Sequence, residues 1–355
     1  SAANVRAWAE IVREKSVLRQ MIEAGTDIVN NGFTPEGRDI KELLASAEQA
    51  VFKIAEQGAR AKKSFVAMKD AAKEAYDQIV KRYENQGELS GLPTGFKDLD
   101  ELTSGLQKQD LIILAARPAM GKTTLALNIA EYAALKTKKA VAVYSMEMSA
   151  GQLAQRLISS NGRINANNLR SGALEDDDWS RLTSAIRMIT QSKIFIDDTP
   201  ALSPQELAFR ARRLKREHDL GLIVVDYLQL MQVPGSKENR ANEISEISRS
   251  LKALAKELDI PVIALSQLNR GLESRTDKRP VMSDLRESGG IEQDADIILF
   301  IYRDEYYNKD SNEKGLAEVI ISKHRNGSTG SFKLKFFGEY TRFDNLAPDH
   351  LGNFE

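Results

Sequence analysis

Cysteine is absent from the chain, which excludes disulfides, thiolate metal sites and cysteine nucleophiles together. Histidine is nearly as scarce. Only His218, His324 and His350 occur, far apart, so a zinc centre is not expected. Neither sign of charge is in excess, because 50 basic residues face 51 acidic ones. Whole-chain charge therefore leaves no nucleic-acid footprint, and any such binding has to come from local loops. No run approaches the roughly 18 apolar residues of a membrane span, so no membrane partner is expected. The opening "SAANVRAWAEIVREK" is charged throughout and lacks the apolar core of a signal peptide. It also starts in mid-helix pattern without an initiator methionine, which predicts a fragment whose upstream part is missing.

What is present suits a globular protein of 355 residues, long enough for one large α/β domain and an appendage. Val5, Trp8, Ile11, Val12, Leu18 and Ile22 recur at helical spacing, so residues 3–24 read as an amphipathic helix followed by a loop, "NNGFTPEGR". A second stripe, Ile40, Leu43, Leu44, Ala47, Val51 and Ile54, follows a capping-box start at Asp39 and Glu42. Residues 62–90 are polar, partly helical and end as a linker. These helices either pack as a small bundle on the main domain or seek another subunit.

From residue 92 the pattern alternates. Apolar strand runs "LIILAA", "AVAVYSM", "KIFIDD", "LIVVDY", "PVIALSQ" and "DIILFIY" are separated, in the earlier part, by helical stretches near 121–137, 150–160, 176–191, 203–218 and 239–259. This predicts a twisted, mostly parallel sheet covered by helices. Two closing runs, "AEVIISK" and "FKLKFF", are joined by "HRNGSTG" and should form an antiparallel hairpin at one edge.

The stretch "DLIILAARPAMGKTTLALNIAEYAAL" has the strand–loop–helix order of a P-loop, with Ala116 where the G-x-x-x-x-G-K-[ST] pattern has its first glycine. Alanine is tolerable there if its φ is negative, since the close-approach glycine is Gly121. Ala119, Met120, Gly121, Lys122, Thr123 and Thr124 would form the nucleotide cradle, because main-chain amides at a helix start point at an anion. Lys122 would sit on the β- and γ-phosphates of ATP, and the Thr123 hydroxyl would ligate Mg²⁺. "GLIVVDYLQL" supplies Asp226 at a strand end, where it can hold the metal through water. The residue after it is Tyr227, so a water-activating base must come from elsewhere. Glu147 in "AVAVYSMEMS" stands at the carboxyl tip of the strand after the P-loop helix, the edge where open α/β sheets bind ligands. Its alternative role is to favour the dipole of the following helix. Gln267 in "VIALSQLNR" ends another strand and is either a γ-phosphate sensor or a solvated amide.

"ARPAMGKTT", "SMEMS", "VVDYLQLM", "SRSLKALAKELDIPVIALSQLNR", "SDLRESGGIEQDADIILFIYRDE" and "KHRNGSTG" occur in this order. Together they resemble the DnaB family of bacterial replicative DNA helicases, hexameric motors of the RecA-like class, over residues 1–347. Alanine at the first P-loop position is common in that family. The resemblance implies an α/β, RecA-like P-loop ATPase core at 91–347. Residues 1–35 would be a remnant of a helical N-terminal collar domain, 36–90 the linker helix and linker, and 348–355 a tail. It implies a homo-hexamer that encircles single-stranded DNA, moves 5′→3′ on it and works in the cytoplasm at the nucleoid. Primase and a helicase loader are the implied partners. In the family the nucleotide lies between subunits, and the matching inserted basic residues here are Lys323 and Arg325. Arg156 matches an arginine that contacts the nucleotide, while Arg286, Glu287 and Gly289 match positions that hold the DNA backbone. His324 departs from the family, where glutamine is frequent. Another RecA-like ATPase of recombination or repair is the nearer alternative, against which "DLRESGGIEQDAD" argues. A non-catalytic partner-binding fragment is the more distant one.

Overall fold

The computed structural model describes residues 2–35, 37–40, 43–44, 46–47, 50–51, 54, 66–84, 87, 89–233, 239–285 and 289–346. The chain divides into two compact units, residues 1–86 and 87–355. In the first, α1 (Ala2–Phe33) extends well past the expected 3–24 helix and takes in the first four residues of the expected loop. Gly25 and Gly32 do not break it. The stop is Thr34–Pro35, because proline bars the residue before it from helical backbone. The second stripe is helical at 40, 43–44, 46–47, 50–51 and 54, and the rest of that segment, including Glu42, lies outside the described residues. The polar stretch after it holds α2 (Met68–Glu84).

The second unit is built on one nine-stranded sheet. Its elements run α3 (Lys97–Thr103), β1 (Leu111–Ala116), α4 (Lys122–Thr137), β2 (Ala140–Ser145), α5 (Ala150–Gly162), α6 (Ala166–Ser171), α7 (Asp176–Gln191) and β3 (Ile194–Asp197). There follow α8 (Pro204–Glu217), β4 (Leu220–Asp226), α9 (Arg240–Leu258), β5 (Val262–Gln267), α10 (Gly289–Asp294), β6 (Ile297–Tyr302), α11 (Asp304–Tyr307), β7 (Leu316–His324), β8 (Gly330–Phe337) and β9 (Arg342–Asn345). The order across the sheet is β3-β2-β4-β5-β1-β6-β7-β8-β9. The first six strands in that order are parallel and the last three run antiparallel. The expected hairpin β7–β8 is therefore present but is not the edge. β9, a four-residue strand too short and polar to stand out in the sequence, pairs outside it.

Alternation along the strands feeds two separate cores. Ile112, Leu114, Val143 and Val224 face α4 and α5, packing with Leu125, Ile129, Leu153 and Leu157. Leu111, Ile113, Ile223 and Val225 face α8 and α9, packing with Leu207, Ala211, Ile247 and Leu251. Period-2 pointing of side chains turns one apolar run into two buried faces. Both faces being buried fixes the register, since a slip of one residue would exchange them. That register aligns Ala116 with Gln267 and Ser145 with Asp226. The carboxyl tips of four strands thus end level, on the side where α4 begins.

Candidate active site

Ala116 closes β1 in extended backbone, which meets the condition for alanine at the first P-loop position. The left-handed residues are Ala119 (φ 64°) and Gly121 (φ 98°). Gly121 is the N-cap of α4. A Cβ on it would also lie 2.7 Å from Cζ of Phe343, so glycine is demanded twice, by backbone angle and by an aromatic ring from β9. The loop is steadied by Arg303, whose Nη1 donates to the Ala119 carbonyl at 3.0 Å while its guanidinium stacks 4.0 Å over Phe336. Met120 turns its side chain into the core at 1% exposure, so only its main chain is available to a ligand.

Beside the loop lies a cavity of about 320 Å³. Gly121, Lys122, Thr123, Thr124, Glu147, Arg156 and Gln267 all line it, as does Ala119. The fold thus gathers residues from the ends of β1, β2 and β5, with Arg156 of α5, into one space. Tyr227, Arg117, Phe336, Gly338 and Thr341 line it as well, none of them singled out as a site residue in the sequence. No local pattern marks them, because most arrive from the loop after β4 and from the antiparallel strands.

Asp226 lies behind Thr123 rather than open on the cavity. It is 2% exposed, and its Oδ2 accepts from Thr123 Oγ1 at 2.8 Å. Its Oδ1 is buried with no hydrogen-bond partner. Burial pushes its carboxyl up, opposed by the Lys122 charge and the Thr123 hydrogen bond. Lys122 sits with Nζ 4.4 Å over the Tyr227 ring, and burial draws its ammonium below the ordinary lysine range, opposed by Asp226 and Glu147. An orphaned buried carboxylate oxygen costs free energy unless a cation or donor reaches it. The Thr123–Asp226 pair therefore fits a magnesium ion, a hard cation that takes few protein oxygens and completes its shell with water and phosphate. Among the described residues there is no cluster of three or more His, Cys, Asp or Glu that could hold a metal ion.

Glu147 does not cap the following helix. Ser149 does: its Oγ accepts from the Gln152 amide, and Gln152 Oε1 accepts from the Ser149 amide, a complete capping box. The S-x-x-Q signature is legible in the sequence. Glu147 is exposed on the cavity wall, where its charge reaches Lys122, Asp226 and Tyr227. Gln267 is held at its main chain by Gln229, whose Oε1 accepts from the Gln267 amide at 3.2 Å and whose Nε2 donates to Ser266 Oγ at 2.9 Å.

Lys323 and Arg325 are not with these residues. β7 runs antiparallel, and its end pairs His324 with Ile297 at the start of β6, which is level with Ile112 in β1. The basic pair therefore sits at the amino ends of the parallel strands, about 15 Å of strand length from the P-loop. Lys323 Nζ donates to the Glu292 carbonyl at 2.5 Å, and Arg325 to that of Gln293. Arg286 and Glu287 lie outside the described residues. Gly289 opens α10 with nothing within 4 Å of a Cβ built on it, whereas Gly290 is packed against Ser245.

Comparison with known proteins accords with this geometry. The DnaB-like helicase C terminal domain family matches residues 91–345. The chain is 52% identical over 347 residues to the replicative DNA helicase DnaB of Geobacillus stearothermophilus, covering 98% of this chain and 76% of that protein. It is 51% identical over 353 residues to DnaB of Haemophilus influenzae, covering 98% and 75%. Among solved structures, a DnaB-like replicative helicase described with its interactions with primase superposes with a TM-score of 0.83 at 36% identity, over 98% of this chain and 80% of that one. A second solved structure, an isolated ATPase domain, superposes at 0.77 with 41% identity, over 80% of this chain and all of that one. The chain belongs to the DnaB family of replicative DNA helicases, ATP-dependent enzymes with a RecA-like core.

Proposed function

We propose that this chain forms a homo-hexameric ring around single-stranded DNA and moves along it 5′→3′, using ATP and Mg²⁺ bound at the cavity described above. The observation that carries the nucleotide reading is the convergence of Lys122, Thr123, Glu147, Arg156 and Gln267 on one cavity, with Asp226 left half-satisfied behind Thr123. In this reading the amides from Gly121 to Thr124 cradle the phosphates and Lys122 pairs with them. Anionic phosphate also favours the charged form of that buried ammonium. Thr123 and Asp226 hold the metal, which when bound neutralises charge developing on the phosphate oxygens. Glu147 takes a proton from the attacking water. Gln267 contacts the γ-phosphate and relays its presence to the loop after β5.

Lys323 and Arg325 serve the nucleotide of a neighbouring copy, which their position at the opposite end of the strands supports. The loop after β4 and the loop after β5, with Arg286, Glu287 and Gly289 in the second, grip the DNA backbone. Domain boundaries follow the family: a collar remnant at 1–35, linker helix and linker at 36–90, the motor at 91–347 and a tail at 348–355. Primase is the proposed partner through the DnaB-like neighbour described with it, and a helicase loader through the family alone. Chromosome replication puts this work in the cytoplasm, at the nucleoid. Separately, among the described residues no helix is long and apolar enough to cross a membrane.

Glu147→Gln tests the reading. The amide keeps the shape but accepts no proton, so ATP binding should stay within a few-fold while turnover falls by about 10²–10⁴. Measuring nucleotide affinity and steady-state hydrolysis on the same preparation decides it. Near-normal kcat removes Glu147 from the role of base.

A further inference from the structure

A second charged cluster lies at the amino ends of the parallel strands. Asp296, the residue before β6, is 4% exposed. Its Oδ2 accepts from the Leu111 amide at 2.8 Å and from Lys252 Nζ of α9. Lys252 is itself fixed, donating also to the Gln109 carbonyl at 2.7 Å. Asp110 is buried beside them, and burial together with the Asp296 charge pushes its carboxyl up to about 6. Arg325 completes the group. Its main-chain amide donates to the Asp296 carbonyl at 2.9 Å, Nη1 stands 3.7 Å from Asp296 Oδ1, and Nη2 donates to the Gln293 carbonyl.

The two acids are not equivalent to surface partners of an arginine. Asp296 is clamped by an amide of one strand and a lysine of a packed helix, so it cannot follow Arg325 as a mobile carboxylate would. Arg325 keeps a side chain 46% exposed. Its planar fork carries five donors in fixed geometry. Seating one nitrogen on a carbonyl and another near a fixed carboxylate orients the remaining donors outward. The contact at 3.7 Å is an ion pair beyond hydrogen-bond length. It biases direction without holding the guanidinium against a competing phosphate.

We propose that Asp296 is a positioning residue for Arg325: an immobile buried carboxylate that aims the exposed guanidinium at the nucleotide of a neighbouring copy. This rests on the reading of Arg325 as a residue acting between subunits. Asp110, the residue before β1, acts on the same guanidinium through its charge.

The test is a double-mutant cycle on the full chain, read as kcat and KM for ATP with native mass measured alongside. Asp296→Asn keeps the acceptor for the Leu111 amide and removes the charge. Alone it should lower kcat by between about tenfold and a hundredfold, the scale of a misaimed catalytic group, with KM unchanged. In an Arg325→Ala background the same substitution should cost nothing more, because there is no guanidinium left to aim. Unchanged kcat in the single variant, or an equal further loss in the double, overturns the proposal and leaves Asp296 a strand anchor. If Asp296→Asn melts at assay temperature, Asp110→Asn enters the same cycle and leaves the Asp296 hydrogen bonds intact. A smaller loss that vanishes without Arg325 supports the proposal, and one that persists overturns it. Normal turnover by Arg325→Ala alone fails the between-subunit reading instead, and the two failures are thereby told apart.

Discussion

The two ends of the parallel strands treat buried charge in opposite ways. At the carboxyl tips Asp226 keeps Oδ1 without a partner, Lys122 lies against an aromatic ring, and space of about 320 Å³ opens beside them. At the amino ends Asp296 takes two donors on one oxygen and an arginine near the other. The two aspartates belong to the same sheet and differ in satisfaction, although Asp294 Oδ2 and His324 Nδ1 near the second also lack a partner. Unsatisfied polar atoms in a buried site mark where a ligand finishes the network. A satisfied network is architecture, and at this end it presents one half-exposed cation to the outside. In the proposed ring, where subunits complete one another's sites, one end receives a nucleotide and the other delivers a charge.

Mixing variants from the two ends is the severest way to break this comparison. Lys122→Ala disables the receiving end and Arg325→Ala the delivering end, so each alone should lose at least about 10³ in ATP turnover. Co-assembled subunits regain some intact pairings, and activity should rise above that of either variant by itself. If fluorescence exchange shows that subunits mix and hydrolysis stays at the floor, the two ends do not meet across a subunit boundary.

A buried acid that belongs to neither end sharpens the point about satisfaction. Glu131 of α4 is 7% exposed, has Oε2 without a partner, and is pushed up to about 7 by burial, with Arg342, Asn161 and Ser160 opposing. Its native form holds a proton that the unfolded chain has already released between pH 4.5 and 7. Ionising it therefore costs stability as pH rises through that window, and the cost is absent below it. Glu131→Gln should be more stable than the parent at pH 8, by up to about 3 kcal/mol, and equal to it near pH 4. Thermal melts of both proteins across this range check the difference. A constant gap at all pH values rules out titration as the cause.

The smallest expected effect concerns DNA grip. With net charge near zero, affinity should depend on a few phosphate pairings per subunit. Arg286→Ala should weaken single-stranded DNA binding similarly for all sequences and flatten the log–log salt dependence by about one unit for each phosphate no longer paired. DNA-free hydrolysis should persist. An unchanged salt slope would move the strand away from this loop and leave the ATP site untouched.

Much of the catalytic end is legible in the sequence because it is local. Strand, loop and helix follow one another without interruption from Leu111 to Thr137, and Gly121 announces itself through the lysine and threonine after it. Asp226, Glu147 and Gln267 stand out as polar residues terminating apolar runs, which is where an open sheet binds ligands. What escapes is what reaches in from afar. Arg303 on the Ala119 carbonyl is 184 residues distant, and Phe343 against Gly121 is further still. The end of α1 is also hidden, because glycines that suggest a loop are tolerated in a helix until proline forbids it. The capping box at Ser149 and Gln152 is visible in the sequence, and it makes Ser149 rather than Glu147 the N-cap of α5.

Helix caps, P-loop geometry and two-residue alternation act within a few residues, so residue order specifies most strands and helices, though neither β9 nor the end of α1, and which chemical groups stand at strand ends. Which of those ends share a cavity depends on long-range packing. Strand order and register follow from burying two faces of one sheet at once, a constraint that couples β1 to β5 and β6 across long stretches of chain. That constraint sets Gln267 beside Ala116, turns β7 so that Arg325 emerges at the far edge, and seats it on an aspartate whose charge no neighbouring sequence could reveal.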